Sequence, residues 1–203
     1  MSDRFVFVDI ETTGLSELTD VVLEVGIIIA TPELEVIDEF DVTIWESPYY
    51  DRKLGEMEIL AKSGNKSARY VLDMHTDNGL WNNAQEEGAT VAEAETQLID
   101  FLKGHGVPNQ SIPMAGSSVH FDRKMLAVGM PAFTRCFSHR NIDVSSIKEL
   151  CKTISPALYS RLDKYGPPKN EKHRTLADLR DTMGELQWYI DNFLWTSLDE
   201  VAN

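Results

Sequence analysis

Two carboxylates separated by one residue, Asp9 and Glu11, close the apolar run Phe5-Val6-Phe7-Val8. Such a run reads as a buried strand, in which residues i and i+2 share a face. Asp9 and Glu11 then stand side by side at the strand's carboxyl end. Adjacent carboxylates repel unless a proton or a cation lies between them. A divalent cation is the usual remedy, and oxygen-only ligands suit magnesium or manganese. The alternative is a strand that runs out into a solvated turn, Thr12-Thr13-Gly14, ahead of Leu15. The D-x-E spacing alone does not choose between them.

Two further acidic positions carry the same ambiguity. In GSSVHFDRKML, Asp122 follows a short strand and small polar residues, at the opening of a helix. Ordinary helix-start chemistry accounts for it, because Asp favours the first turn. In EKHRTLADLRDTMGEL, His173 precedes the last helix and Asp178 lies in its first turn. Thr175-x-x-Asp178 also reads as a capping box, with Asp a poorer partner than Glu. A lone His in such a loop is commonly a surface residue. Asp178 falls off the centre of the stripe that holds Leu176 and Leu179, where it can line a cleft beside the sheet.

The elements that must position these groups follow from periodicity. Val21–Ala30 is β-branched and long enough for a buried central strand. Thr31-Pro32-Glu33 turns the chain, and Glu35–Ile44 alternates as a third strand, giving a three-stranded meander. Leu54–Ala61 is weakly helical. Ala89–Lys103 has apolar residues at helical spacing and stops at Gly104. Ile112–Ala115 is a short strand, Arg123–Val128 a helix ended by Gly129 and Pro131, and Val144–Ile154 another helix. Leu176, Leu179, Met183, Leu186, Ile190 and Phe193 recur at three- and four-residue steps, the clearest helix in the chain. Ser155–Lys172, rich in Pro, Gly and Lys, reads as a loop. Early strands followed by alternating helix and strand predict an α/β or α+β domain with a mixed sheet.

Composition narrows the function. The chain has 203 residues, enough for one domain with a full core, and 42% apolar residues. No apolar run approaches the roughly 20 residues that span a bilayer, and the MSDRF start carries no basic leader. Only Cys136 and Cys151 occur, without a C-x-x-C motif. They fit reduced thiols and a cytoplasmic protein. A net charge of −14 is the wrong sign for gripping long nucleic acid through a broad basic surface. A short nucleotide substrate in a metal-loaded pocket is still compatible with it.

Taken together, D-x-E-T-T-G-L (Asp9 to Leu15), an Asp that opens a helix (Asp122) and H-x-x-x-x-D (His173 to Asp178) resemble the DEDDh 3′–5′ exonucleases. Three more segments look like the oligoribonuclease branch. MHTDNGL (Met74–Leu80) is similar to its THT-x-x-GL segment. HRNIDVSSIKEL (His139–Leu150) is similar to YRYLDVSTLKEL, and AGSSVHFDRKML follows GNSIGQDRRFL. The resemblance spans nearly the whole chain and implies a single exonuclease domain over 1–203. The implied fold is α/β, a ribonuclease H-like mixed β-sheet flanked by helices.

The resemblance also implies roles. Two ions per site, Mg2+ or Mn2+, are held by Asp9, Glu11 and Asp178 and by Asp9 and Asp122. His173 is the general base that takes a proton from the attacking water, since an imidazole changes charge near neutral pH. Leu15 wedges between terminal bases, and Tyr70 stacks on a base where the family has Trp. Tyr70 also reads as an ordinary core or surface aromatic. His75 contacts the terminal 3′-hydroxyl and Ser118 a phosphate oxygen. A second subunit of a homodimer caps the substrate with Arg140 and Ser145, which otherwise read as a solvated charge and a helix-start residue. His139 stands where the family has the capping Tyr.

The implied substrate is a short single-stranded oligonucleotide, RNA rather than DNA. A DNA exonuclease or RNA-trimming enzyme of the same fold is the nearest rival. A non-catalytic nucleotide- or metal-binding module should have lost at least one of the five motif residues, and all five are present. A plain acidic scaffold should bind manganese at no tight paired site.

Overall fold

A computed structural model describes residues 4–107, 110–170 and 173–194. Its centre is β1 (Phe5–Thr12), paired antiparallel with β2 (Val22–Ala30), which pairs antiparallel with β3 (Val36–Thr43). This is the expected meander. On the other side of β1 lie β4 (Met114–Gly116) and β5 (Asn141–Asp143), both parallel to their neighbours. The strand order is β3-β2-β1-β4-β5, a mixed sheet. With helices on both faces, the fold is the α/β architecture that the sequence implies.

Strand alternation divides the core. Val6, Val8 and Ile10 of β1 and Val25, Ile27 and Ile29 of β2 belong to one buried cluster. It is shared with α1 (Tyr49–Lys62), α3 (Leu80–Glu87), α4 (Val91–Gly104) and α5 (Val119–Gly129). Phe7 and Ile28 face the other way, into a cluster with α7 (Val144–Ile154) and α9 (Thr175–Tyr189). Asp9 and Glu11 continue the Phe7 face, and α9 packs against it. The period of two therefore delivers both carboxylates to the start of α9.

Three expectations need correction. The expected loop Ser155–Lys172 contains α8 (Pro156–Tyr165), whose first residue is a proline. Proline is suited to that place because the first helical N–H has no intrahelical partner. The last two residues of that loop, Glu171 and Lys172, lie outside the described residues. Second, α2 (Lys66–Asp77) and α3 come between the weak helix and Ala89. Third, the last helix ends at Tyr189 and continues as a π-helical turn, Ile190–Leu194. Among the described residues no helix is long and apolar enough to cross a membrane.

Candidate active site

The carboxyl end of β1 gathers the acidic residues. Ligand oxygens of Asp9, Glu11 and Asp178 lie within 4.8 Å of one another. Asp122, in the first turn of α5, accepts a hydrogen bond from the Ile10 N–H at 3.2 Å. It therefore approaches β1 between the two strand carboxylates. Asp178 sits in the first turn of α9, but Thr175 does not cap that helix. The capping-box alternative fails because the Thr175 N–H and hydroxyl both donate to Glu24, at 3.0 and 3.1 Å.

Charge is crowded here. Burial, then Asp122, Glu11, Asp178 and Glu24, push the Asp9 carboxyl well above its ordinary range. Burial, then Asp178 and Glu24, raise Glu11 to about 8, with Arg174 pulling the other way. Burial raises Asp122 to about 7. Asp178 is raised as well, chiefly by burial. Burial and like charge hold these groups up where a cation would hold them down. An all-carboxylate donor set of this kind fits a hard divalent ion.

A carboxylate raised in the folded state binds its proton more tightly there than in the unfolded chain. Without cation, the contribution of Glu11 to stability is fully present below its ordinary value of 4.5 and is lost as pH rises towards about 8, while lowered carboxylates such as Asp20 act the other way only at acid pH. The metal-free melting temperature should drop across that window, and saturating Mg2+ or Mn2+ should flatten the slope. Metal binding near pH 7 should also release protons. Scanning calorimetry and titration calorimetry in two buffers check this. A metal-free melting temperature that climbs with pH would contradict it.

Beside the acidic cluster runs a cleft of about 900 Å3, lined by Glu11, Thr12, Leu15, Lys66, Tyr70 and Met74 among others. Leu15 is 80% exposed and Tyr70 61%, both large apolar surfaces held in water. The turn that presents Leu15 is braced by Asp20, which accepts from Ser16 N–H at 2.9 Å and pairs with Lys53 at 2.8 Å. Gly14 is required there, since a Cβ would lie 2.6 Å from an Asp20 oxygen.

The other sequence candidates fall in three groups. His75 is fully buried and lies outside the lining of that cleft. Its Nε2 is 3.0 Å from the Thr12 carbonyl and 3.9 Å from Glu11, and its Nδ1 has no hydrogen-bond partner. Burial lowers its affinity for a second proton. Ser118 and Ser145 come together within one chain. The Ser118 N–H is 2.9 Å from an Asp143 oxygen and 3.1 Å from Ser145 Oγ, and Ser145 Oγ donates to Asp143 at 2.6 Å.

Arg140 and Ser145 are not brought together, because they lie beyond opposite ends of β5. Asn141 is level with Met114 and Val6, so Arg140 is level with Phe5, four residues short of Asp9. That is about 13 Å along the strands and two strands sideways, too far for its side chain to reach its own chain's cluster. His139 lines a separate cavity of about 500 Å3 with Arg123 and Arg135.

Sequence reasoning missed Glu24. It is 1% exposed on β2, directly opposite Glu11, and forms an ion pair with Arg174. A single Glu inside VVLEVGIIIA was the available signal, since a charge in a buried strand requires a partner.

An exonuclease family model matches residues 6–186. The oligoribonuclease of Azoarcus sp. (strain BH72) is 35% identical over 192 residues, 95% of this chain and 96% of that protein. The oligoribonuclease of Chromobacterium violaceum is 33% identical over 193 residues, 95% and 97% of the two chains. Among solved structures, exonuclease I superposes with a TM-score of 0.63 at 15% identity, over 95% of this chain and 42% of that one. A complex of E. coli ExoI with single-stranded DNA gives 0.61 at 15% identity, over 95% of this chain and 41% of that one. These structural likenesses show the fold, whereas the match over 6–186 and the identity of a third along nearly the whole chain show the lineage. The protein belongs to the 3′–5′ exonuclease family that includes the oligoribonucleases.

Proposed function

We propose that this exonuclease is an oligoribonuclease-like 3′–5′ exoribonuclease, a single domain over residues 1–203. It hydrolyses short single-stranded RNA and releases nucleoside 5′-monophosphates. The observation that carries this reading is the carboxylate cluster of Asp9, Glu11 and Asp178, within 4.8 Å, which meets the Leu15–Tyr70 cleft through Glu11. Magnesium or manganese would be held by Asp9, Glu11 and Asp178 and by Asp9 and Asp122, stabilising charge on the attacking and leaving oxygens.

The chain's own residues supply the rest. Leu15 and Tyr70 offer apolar and aromatic surface on which terminal bases stack, with no dependence on sequence. The unpartnered Nδ1 of His75 is an acceptor, the chemistry that a terminal 3′-hydroxyl requires, but it is buried, so this contact would need the packing around His75 to open when substrate binds. Ser118 stands at the start of α5, where its hydroxyl can meet a phosphate oxygen. His173 is exposed beside the cluster and takes the proton of the attacking water. The two free thiols fit action in the cytoplasm.

We also propose a homodimer in which one subunit caps the substrate of the other. The placement of Arg140, out of reach of its own cluster, supports service to a neighbour. Its planar guanidinium matches a phosphate. Ser145, already bonded to Ser118 and Asp143 in its own chain, would have to share its hydroxyl. His139 presents a smaller face than Tyr, so the preference for dinucleotides should be weak.

The test is a time course on labelled RNA and DNA from two to about twenty-four nucleotides, with and without Mn2+, beside a sedimentation mass. Short RNA should be consumed from its 3′ end fastest. Arg140→Ala should slow the shortest substrates most, and His139→Tyr should sharpen their advantage. Faster turnover of long DNA would favour the DNA exonuclease instead. A monomer, or a length profile untouched by Arg140→Ala, would remove the cap.

A further inference from the structure

The chain that follows His173 is held by hydrogen bonds. On its carboxyl side each of the next two peptide units carries a hydrogen bond. The His173 carbonyl accepts from Asn78 Nδ2 at 2.6 Å. The Arg174 carbonyl accepts from the Asp178 N–H at 3.0 Å, and the Thr175 N–H donates to Glu24 at 3.0 Å. The Arg174 side chain is held too, with its Nε 2.9 Å from Glu24 Oε1. Gly26 on β2 makes this contact possible, since a Cβ there would sit 2.5 Å from Thr175 Oγ1.

Asn78 is locked in turn. Its Oδ1 accepts from the Leu80 N–H at 2.9 Å while its Nδ2 donates to His173. One partner is a donor and the other an acceptor, so only one orientation of the amide satisfies both. Meanwhile His173 has a φ of 45°, in the left-handed region that non-glycine residues seldom occupy. Such a conformation persists only where its surroundings impose it. Its side chain is exposed, and Asp178 lies in the first turn of α9, close enough for the His173 charge to act on it.

We propose that Asn78 and the Glu24–Arg174 pair are positioning residues. They clamp the two peptide units that follow His173, so that the imidazole moves towards the cluster by rotation at its own Cα alone. This rests on His173 being the base, as read above. Asn78 belongs to the MHTDNGL segment, and Glu24 to the buried strand opposite Glu11. The clamp ties both to one function: a base on a fixed pivot rather than on a loose loop. Misplacement of a reacting group by about 1 Å can cost up to about 100-fold in rate.

The decisive variant is Asn78→Asp. It keeps the acceptor for the Leu80 N–H, but it replaces the donor to His173 by a carboxylate oxygen that repels the His173 carbonyl. It should lower kcat about 10- to 100-fold at saturating Mn2+, with KM and Mn2+ affinity by calorimetry unchanged, and Asn78→Ser, which also lacks the amide donor but adds no charge, should lower kcat too. Arg174→Lys, which keeps a charge opposite the buried Glu24 but loses the two-pronged guanidinium contact, should lower kcat in the same direction. In a His173→Ala background neither change should reduce the rate further, because both act through the histidine. A wild-type kcat for Asn78→Asp, with His173→Ala impaired, would overturn the clamp alone. Losses that multiply in the double variants would also overturn it. A wild-type rate for His173→Ala would overturn the base assignment and the clamp with it.

Discussion

Asp9→Ala lowers kcat by more than about 10³-fold and raises the melting temperature of the metal-free protein. Both effects come from one position. Asp9 is flanked by Asp122, Glu11, Asp178 and Glu24, and burial leaves it little water to disperse the charge. Removing it deletes the carboxylate shared by both proposed ion sites, so the charge built up on the phosphoryl oxygens loses its counterweight. Removing it also relieves repulsion among the remaining acids. The gain in stability should grow from pH 5 to about 8, the range over which the neighbours ionise. Activity on labelled RNA and a thermal scan with chelator check the pair. A folded variant that cuts near the wild-type rate would break the link between cluster and chemistry.

His173→Ala should cost about 10²–10⁴-fold in rate with little change in Mn2+ affinity. The residue is exposed and carries no ligand oxygen, so the three clustered carboxylates remain in place without it. If instead Mn2+ binding collapses and the rate falls only in proportion, the histidine supports the cluster and does not move the proton.

The site was legible to different depths at different residues. Asp9 and Glu11 were readable because a strand's period of two is rigid and β1 is strongly apolar. Asp178 was readable because α9 has a clear stripe and the acid falls just off it. Glu24 was hidden in plain view: nothing in a linear sequence shows that its strand lies beside Glu11, or that Arg174, 150 residues later, closes the charge. The clamp from Asn78 depends on a contact 95 residues apart and could not be inferred from spacing. The helix α2 escaped notice because its fully buried residues are only Ala68 and His75, with Val71 and Leu72 half-buried against the core, too short an apolar stripe to stand out. The helix α8 was masked by Pro156, which breaks helices inside them but starts them well. The separation of Arg140 from Ser145 depends on strand register, which a motif does not reveal.

The most direct test of the account is manganese anomalous scattering from crystals soaked with Mn2+ and a non-hydrolysable dinucleotide. The account predicts two peaks, one among Asp9, Glu11 and Asp178 and the other between Asp9 and Asp122, with the terminal base between Leu15 and Tyr70. No peak in this cluster, or a single ion away from Asp9, would contradict it.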